Sequence, residues 1–113
     1  MIRRIFGKAA ETVIEAEHTK QHKNDPDRHA QRLNHIMDHW DEILQIIDEE
    51  LPALEEIEAL MKELGMPMLP ADIDISTRDT QDAFIASRDI RDKYLTSSML
   101  WDMGILYETK AQK

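Results

Sequence analysis

Apolar residues recur along this chain in steps of three and four, the spacing that aligns them on one side of an α-helix. Ile2, Ile5, Phe6, Ala9, Ala10, Val13 and Ile14 set the rhythm at once and predict a helix over 2–18. No Ser, Thr, Asp or Asn stands before Ile2 to cap it, so this helix reads as the tail of a longer one. Residues 19–25 form a polar connection ending in Asp25-Pro26, an N-cap with proline at the first helical position. Leu33, Met37, Trp40, Leu44, Ile47 and Leu51 then step by four, three, four, three and four, with Ile36 and Ile43 widening the stripe. The spacing predicts a single helix of about 25 residues whose seam packs against another helix. Each large apolar side chain gains roughly 1.5–3 kcal/mol by leaving water, so the seam is expected to be covered.

Pro52 interrupts the pattern, because its missing N–H and its ring end or kink a helix near 49–51. A third helix follows with Leu54, Ile57, Leu60, Met61 and Leu64 inward and Glu55, Glu56, Glu58 and Lys62 outward; Gly65 stands where a C-terminal cap belongs. Pro67 and Pro70 mark 66–75 as a structured loop, with Asp72-Ile73-Asp74-Ile75 expected to run as an extended crossing. Ser76 and Asp79 form a capping-box-like start to a fourth helix reaching about Tyr94. That helix turns Ala83, Phe84, Ala86 or Ser87, Ile90 and Tyr94 inward and carries Arg88–Asp92 and Asp89–Lys93 as i,i+4 pairs. Thr96 or Ser97 is expected to cap a last short helix holding Met99, Leu100, Trp101 and Met103, which Gly104 ends. The reading is an all-α bundle of four to five helices, one domain over 1–106 with a frayed tail over 107–113.

Composition narrows the function classes. Three Gly and four Pro in 113 residues leave few tight turns, which disfavours a many-stranded β fold. Seven Met give the aliphatic core adaptable packing. A net charge of −9 repels phosphate backbones, so neither nucleic acid nor an anionic membrane is expected as a partner. Arg3, Arg4 and Lys8 are too short a basic patch to reverse that. Without Cys there is no disulfide framework and no thiolate site, which fits the cytoplasm. No apolar run approaches the ~20 residues of a membrane span or the ~7–15 of a signal peptide.

Two His-x-x-x-His spacings are the most tempting chemistry, His18 with His22 and His35 with His39, since imidazoles at i and i+4 share a helix face. At about 100° per residue from Leu33, His35 and His39 lie near 200° and 240°, away from the seam. Ile46 falls between them, marking a second, weaker contact surface. A zinc there needs a third ligand, and His35-Ile36-Met37-Asp38-His39 lacks the Glu of a His-Glu-x-x-His protease. The carboxylate runs at 48–50 and 55–58 read as solvated charge rather than acid–base pairs. Glycine at 7, 65 and 104 only permits no phosphate loop, and no Gly-x-Ser-x-Gly elbow occurs. Trp40 is assigned to the core, whereas Trp101 and Tyr107 suit either core or a docking patch. In the mixed-charge cluster from Arg88 to Tyr94, two readings stand: a salt-bridged surface, or Arg88 or Arg91 clamping a loop, a carboxylate or a neighbouring domain.

Leu69-Pro70-Ala71-Asp72-Ile73-Asp74-Ile75 is followed by Asp82-Ala83-Phe84, by Asp89-Ile90-Arg91-Asp92-Lys93-Tyr94 and by Leu100-Trp101-Asp102-Met103-Gly104-Ile105-Leu106. In this order and spacing the set resembles the C-terminal end of bacterial sn-glycerol-1-phosphate dehydrogenases, in the iron-containing alcohol dehydrogenase and dehydroquinate-synthase-like superfamily. Trp40-Asp41-Glu42-Ile43 and Glu49-Glu50-Leu51-Pro52 are similar too, so the likeness covers roughly 26–106 and is most specific in its last forty residues. Lys93 stands where the family has Arg, and Leu95-Thr96 where it has Thr. The resemblance implies a parent enzyme with a Rossmann-like NAD(P) domain and a divalent metal held by an Asp and two His, one in a His-Gly motif. No His here precedes Gly, so the resemblance places this chain downstream of the last metal ligand. On that basis no catalytic, cofactor-binding or metal-binding residue is assigned, and the chain is expected to be inert alone. Its expected partner is the rest of such an enzyme. The rival expectation is a free-standing acidic interaction module that forms a homo-oligomer; a third is a small metal-binding bundle using the histidines.

Overall fold

A computed structural model describes residues 1–108. Its helices are α1 (Ile2–Phe6), α2 (Ala10–Ala16), α3 (Pro26–Asp38), α4 (Trp40–Glu50), α5 (Leu54–Glu63), α6 (Thr77–Ile90) and α7 (Thr96–Asp102). No strand occurs among the described residues, and the fold is all-α. The five expected helices are present, two of them in pieces. The first breaks at Gly7, whose φ of 52° leaves the helical region and starts a 3-10 turn over Gly7–Ala9. The second breaks at His39, where φ −114° and ψ 19° separate α3 from α4. Leu106–Glu108 form a closing 3-10 turn, and the rest of the expected tail, 109–113, lies outside the described residues.

Helix boundaries follow the local chemistry. The Asp25 carboxylate accepts from the Arg28 N–H at 2.9 Å with Pro26 behind it, and the Ser76 hydroxyl accepts from the Asp79 N–H at 3.1 Å. Gly65 and Gly104 end α5 and α7 with left-handed φ of 65° and 79°. In each, the next residue's N–H closes back five residues, Met66 to Met61 and Ile105 to Leu100, which satisfies carbonyls the helix leaves open.

Two local expectations are corrected. Residues 72–75 are not an extended crossing: Pro70–Ile73 is a 3-10 turn and Asp74 is left-handed. The Asp72 carboxylate accepts the N–H groups of Met68 (2.9 Å) and Leu69 (2.8 Å), which folds the segment back on itself. The fourth helix stops at Ile90 rather than near Tyr94. There the Lys23 ammonium donates to the carbonyls of Arg88 and Arg91, both at 2.7 Å, capping the helix end with positive charge.

The packed part of the molecule joins α2 to α1, α1 to α6, and α6 and α3 to α7. Ala10, Ile36, Ile85, Ala86 and Leu106 are its buried apolar residues. Arg4 grips the Asp82 carboxylate with both terminal nitrogens and ties α1 to α6, while Arg3 pairs with Glu11. The short N-terminal basic patch is thereby largely neutralised.

The long seam is a second matter. Leu33 and Trp40 of the seam, with Ile36 and Ile43 beside it, are covered at least in part, so only one edge of the stripe meets the packed part. Met37 is 66% exposed and Leu51 62%, and Leu44 and Ile47 are exposed as well. On α5, Leu54, Ile57, Leu60 and Leu64 also face solvent, and that helix makes no extensive contact with any other. The expected burial of these residues fails because no described helix packs over them: the extended Leu51 before Pro52 ends α4, and α5 finds no partner beyond it. A radius of gyration of 16.6 Å agrees with such an arm, since a compact domain of this length has about 13 Å.

Candidate functional site

The densest polar constellation lies where α3, the end of α6 and α7 meet. Asp102, on the last turn of α7, is 2% exposed. Its carboxylate accepts from Arg32 Nε at 2.7 Å and Nη2 at 2.8 Å, a two-pronged guanidinium contact from α3. The Tyr94 hydroxyl donates to the same carboxylate at 2.8 Å. His29 Nε2 donates to the Asp102 backbone carbonyl at 2.9 Å, which places its proton on Nε2. Burial pushes the Asp102 carboxyl up, but the bonds from Arg32 and Tyr94 outweigh it and hold the group below the usual aspartate value. Burial first, and then the bond to Asp102, pushes the Tyr94 phenol well above its ordinary value.

Beside this knot, Trp101 lies between two side chains. The His29 ring is 5.0 Å away, tilted by 59°, and the Arg88 guanidinium stands 4.0 Å from the indole centroid. Arg88 is 5% exposed. It donates to Asp89 at 3.1 Å and to the Asn24 side-chain oxygen at 2.6 Å. Of the two readings of this cluster, Arg88 follows the clamp: it holds the 22–25 connection. The expected Arg88–Asp92 and Asp89–Lys93 pairs are absent among the described residues, because the helix ends before Asp92 and Lys93 can complete a turn. Burial raises the Asp89 carboxyl, with Arg88 and Lys23 only partly opposing it. Ser97, expected as a cap, is instead buried, its hydroxyl 2.8 Å from that of Ser87, and the helix starts after Leu95.

The histidine pairs are placed differently. His35 and His39 have ring centroids 4.4 Å apart, away from the packed side, and His39 Nδ1 is 3.4 Å from Glu42. His18 lies in a π turn over Glu17–Gln21 and His22 ends it with a left-handed φ of 50°. Both line a cavity of about 310 Å³ with Glu17 and Asp25. Among the described residues no group of three or more His, Cys, Asp or Glu is arranged to hold a metal ion. The three glycines each follow a helix end, with no loop of consecutive free N–H groups around them. The donor set therefore does not fit the divalent metal or the dinucleotide of the resembling enzymes.

Tyr94, Trp101, Asp102 and Asp89, all within the family-like motifs, converge on one place, joined by Lys23, Asn24, His29 and Arg32. Sequence spacing gave no sign of the second set, which lies about seventy residues away along the chain. Compared with known protein families, with curated proteins and with solved structures, the chain matches none. Among the described residues no helix is long and apolar enough to cross a membrane.

Proposed function

We propose that this chain is the C-terminal helical part of an NAD(P)- and metal-dependent dehydrogenase of the glycerol-1-phosphate type, catalytically silent alone and acting by packing against the rest of that enzyme in the cytoplasm. The observation that carries the reading is the uncovered apolar stripe of α4 and α5. Leucine and isoleucine at helical spacing gain nothing in water, and a contiguous apolar face of this kind marks a contact surface. The Asp102 knot supports the same view: its carboxylate, phenol and guanidinium satisfy one another, which is the chemistry of a scaffold and not of a poised acid or base. Trp101 and Asp102 of the resemblance thus hold α7 against α3, and the arm stays free to dock.

Complementation tests this. A dehydrogenase of that family, shortened to remove its corresponding helices, should regain NAD(P)-linked turnover when the purified chain is added. No recovery, or turnover of a polyol phosphate by the chain alone, counts against it. The second reading, a self-associating acidic module, draws on the same stripe, because two copies of α4 could seat Leu44 and Ile47 against each other. Sedimentation equilibrium separates the two: a discrete dimer, undisturbed by the shortened enzyme, favours self-association.

A further inference from the structure

A cavity of about 170 Å³ opens beside the Asp102 knot, between the 21–28 stretch and the irregular segment linking α6 to α7. Lys23, Arg28, Arg32, Arg88 and Lys93 line it, five of the fourteen lysines and arginines in the chain. Asp92 and Asp102 oppose them in the lining and Asp89 pairs with Arg88 beside it, so this one concavity with its paired partners carries two net positive charges on a molecule of net −9. Arg32 is balanced by Asp102 and Arg88 by Asp89. Lys23, Arg28 and Lys93 have no carboxylate within ion-pair distance among the described residues. Lys23 reaches only main-chain carbonyls, and the contact of Arg28 to the Gln21 carbonyl is a long 3.5 Å. In a chain with nine more acids than bases, gathering three cations around one cavity with no ion pair to any of them is the unexpected arrangement.

We propose that this cavity binds a small tetrahedral dianion of the phosphate or sulfate kind, which bridges the first turn of α3 to the α6–α7 link. Size supports a group of this class. A water takes up roughly 30 Å³, so the space admits a tetraoxyanion with part of its hydration and excludes a dinucleotide. Charge supports it as well. Three cations without an ion-pair partner, brought together from separate stretches of chain, suit a divalent group with acceptors in several directions better than a carboxylate, whose two oxygens lie in one plane. Burial already lowers the Lys23 pKa, and a bound dianion would restore it. Asp92, exposed and in the lining, opposes an anion and keeps the affinity modest.

The test is a titration of the full chain with inorganic phosphate at constant ionic strength, reading the thermal midpoint and the phosphorus-31 line width. The expected result is saturable stabilisation with broadening. In the double variant Arg28→Gln/Lys93→Gln, affinity should weaken about tenfold or more. Both side chains are exposed and lack carboxylate partners, so a normal far-ultraviolet circular dichroism spectrum is expected for the variant. General exclusion of phosphate from protein surfaces does not saturate and acts alike on both proteins. An identical response in the variant, or none in the wild type, overturns the site. Acetate acting as strongly as phosphate overturns the dianion. Sulfate and methyl phosphate, titrated the same way, separate a free ion from an organic phosphate: equal binding of sulfate assigns the former, tighter binding of methyl phosphate the latter.

Discussion

Asp102 shows how much can rest on one side chain. It holds Arg32, Tyr94 and, through its main chain, His29, so three segments distant in sequence meet at a single carboxylate. Replacing it with Asn keeps the volume and removes the charge. The variant Asp102→Asn should lose about 3 kcal/mol in urea unfolding, the low end for breaking a buried pair, because Arg32 keeps 28% of its side chain in solvent. The pH dependence has a definite sign. A carboxyl held below its unfolded value gives stability that is present above that value and lost as pH falls through the folded one. The wild type should therefore weaken in acid, and the loss should be shallower in Asp102→Asn, as followed by denaturation midpoints from neutral pH downward. Tyr94 acts at the other extreme. Its raised phenol contributes stability that is intact below about pH 10 and lost as pH rises further. The phenolate absorbance missing from Tyr94→Phe should therefore emerge only in strong alkali.

Elements were more legible than side-chain partners. Apolar spacing placed all five helices, and Asp25, Ser76, Gly65 and Gly104 mark their ends as local capping chemistry requires. Such signals involve residues within about five positions, and therefore read directly from sequence. Gly104→Ala should cost about 1 kcal/mol from the left-handed φ alone, since an added Cβ meets nothing within 4 Å. A cost well above that in thermal unfolding would show the site to be packed more tightly than the geometry allows. The boundaries that sequence misplaced are those set from a distance. The end of α6 depends on Lys23, and no pattern within 76–94 reveals a cap supplied from before α3. The candidate site was half legible for the same reason: the Arg88–Tyr94 cluster stood out by its charge density, but Arg32 and His29 carry no local motif that marks them as its partners.

At the scale of the molecule, stability and exposure are unevenly divided. The buried residues lie in α2, α3, α6, α7 and the closing 3-10 turn, the polar knot joins α3 to α7 and to the end of α6, and α4 and α5 contribute to neither. Hydrogen exchange should rank the amides accordingly, fastest in α5 and slowest around Ile36, Ile85 and Ala86. Ile57→Glu/Leu60→Glu should leave unfolding free energy within about 0.5 kcal/mol, because both residues are exposed on a helix that packs on no other, yet abolish any association through the arm. A large loss of monomer stability in that variant would mean the arm packs on its own chain.

The amino-acid order by itself determined the helical class, the five segments and most of their caps, because periodicity and capping act over one or two turns. It also determined which residues are apolar on α4 and α5. Only the tertiary structure decided which edge of that stripe is covered, that Asp102 is the hub, and that unmatched cations gather beside it. Those outcomes depend on which distant segments meet, and burial and charge pairing are properties of the meeting and not of either segment alone.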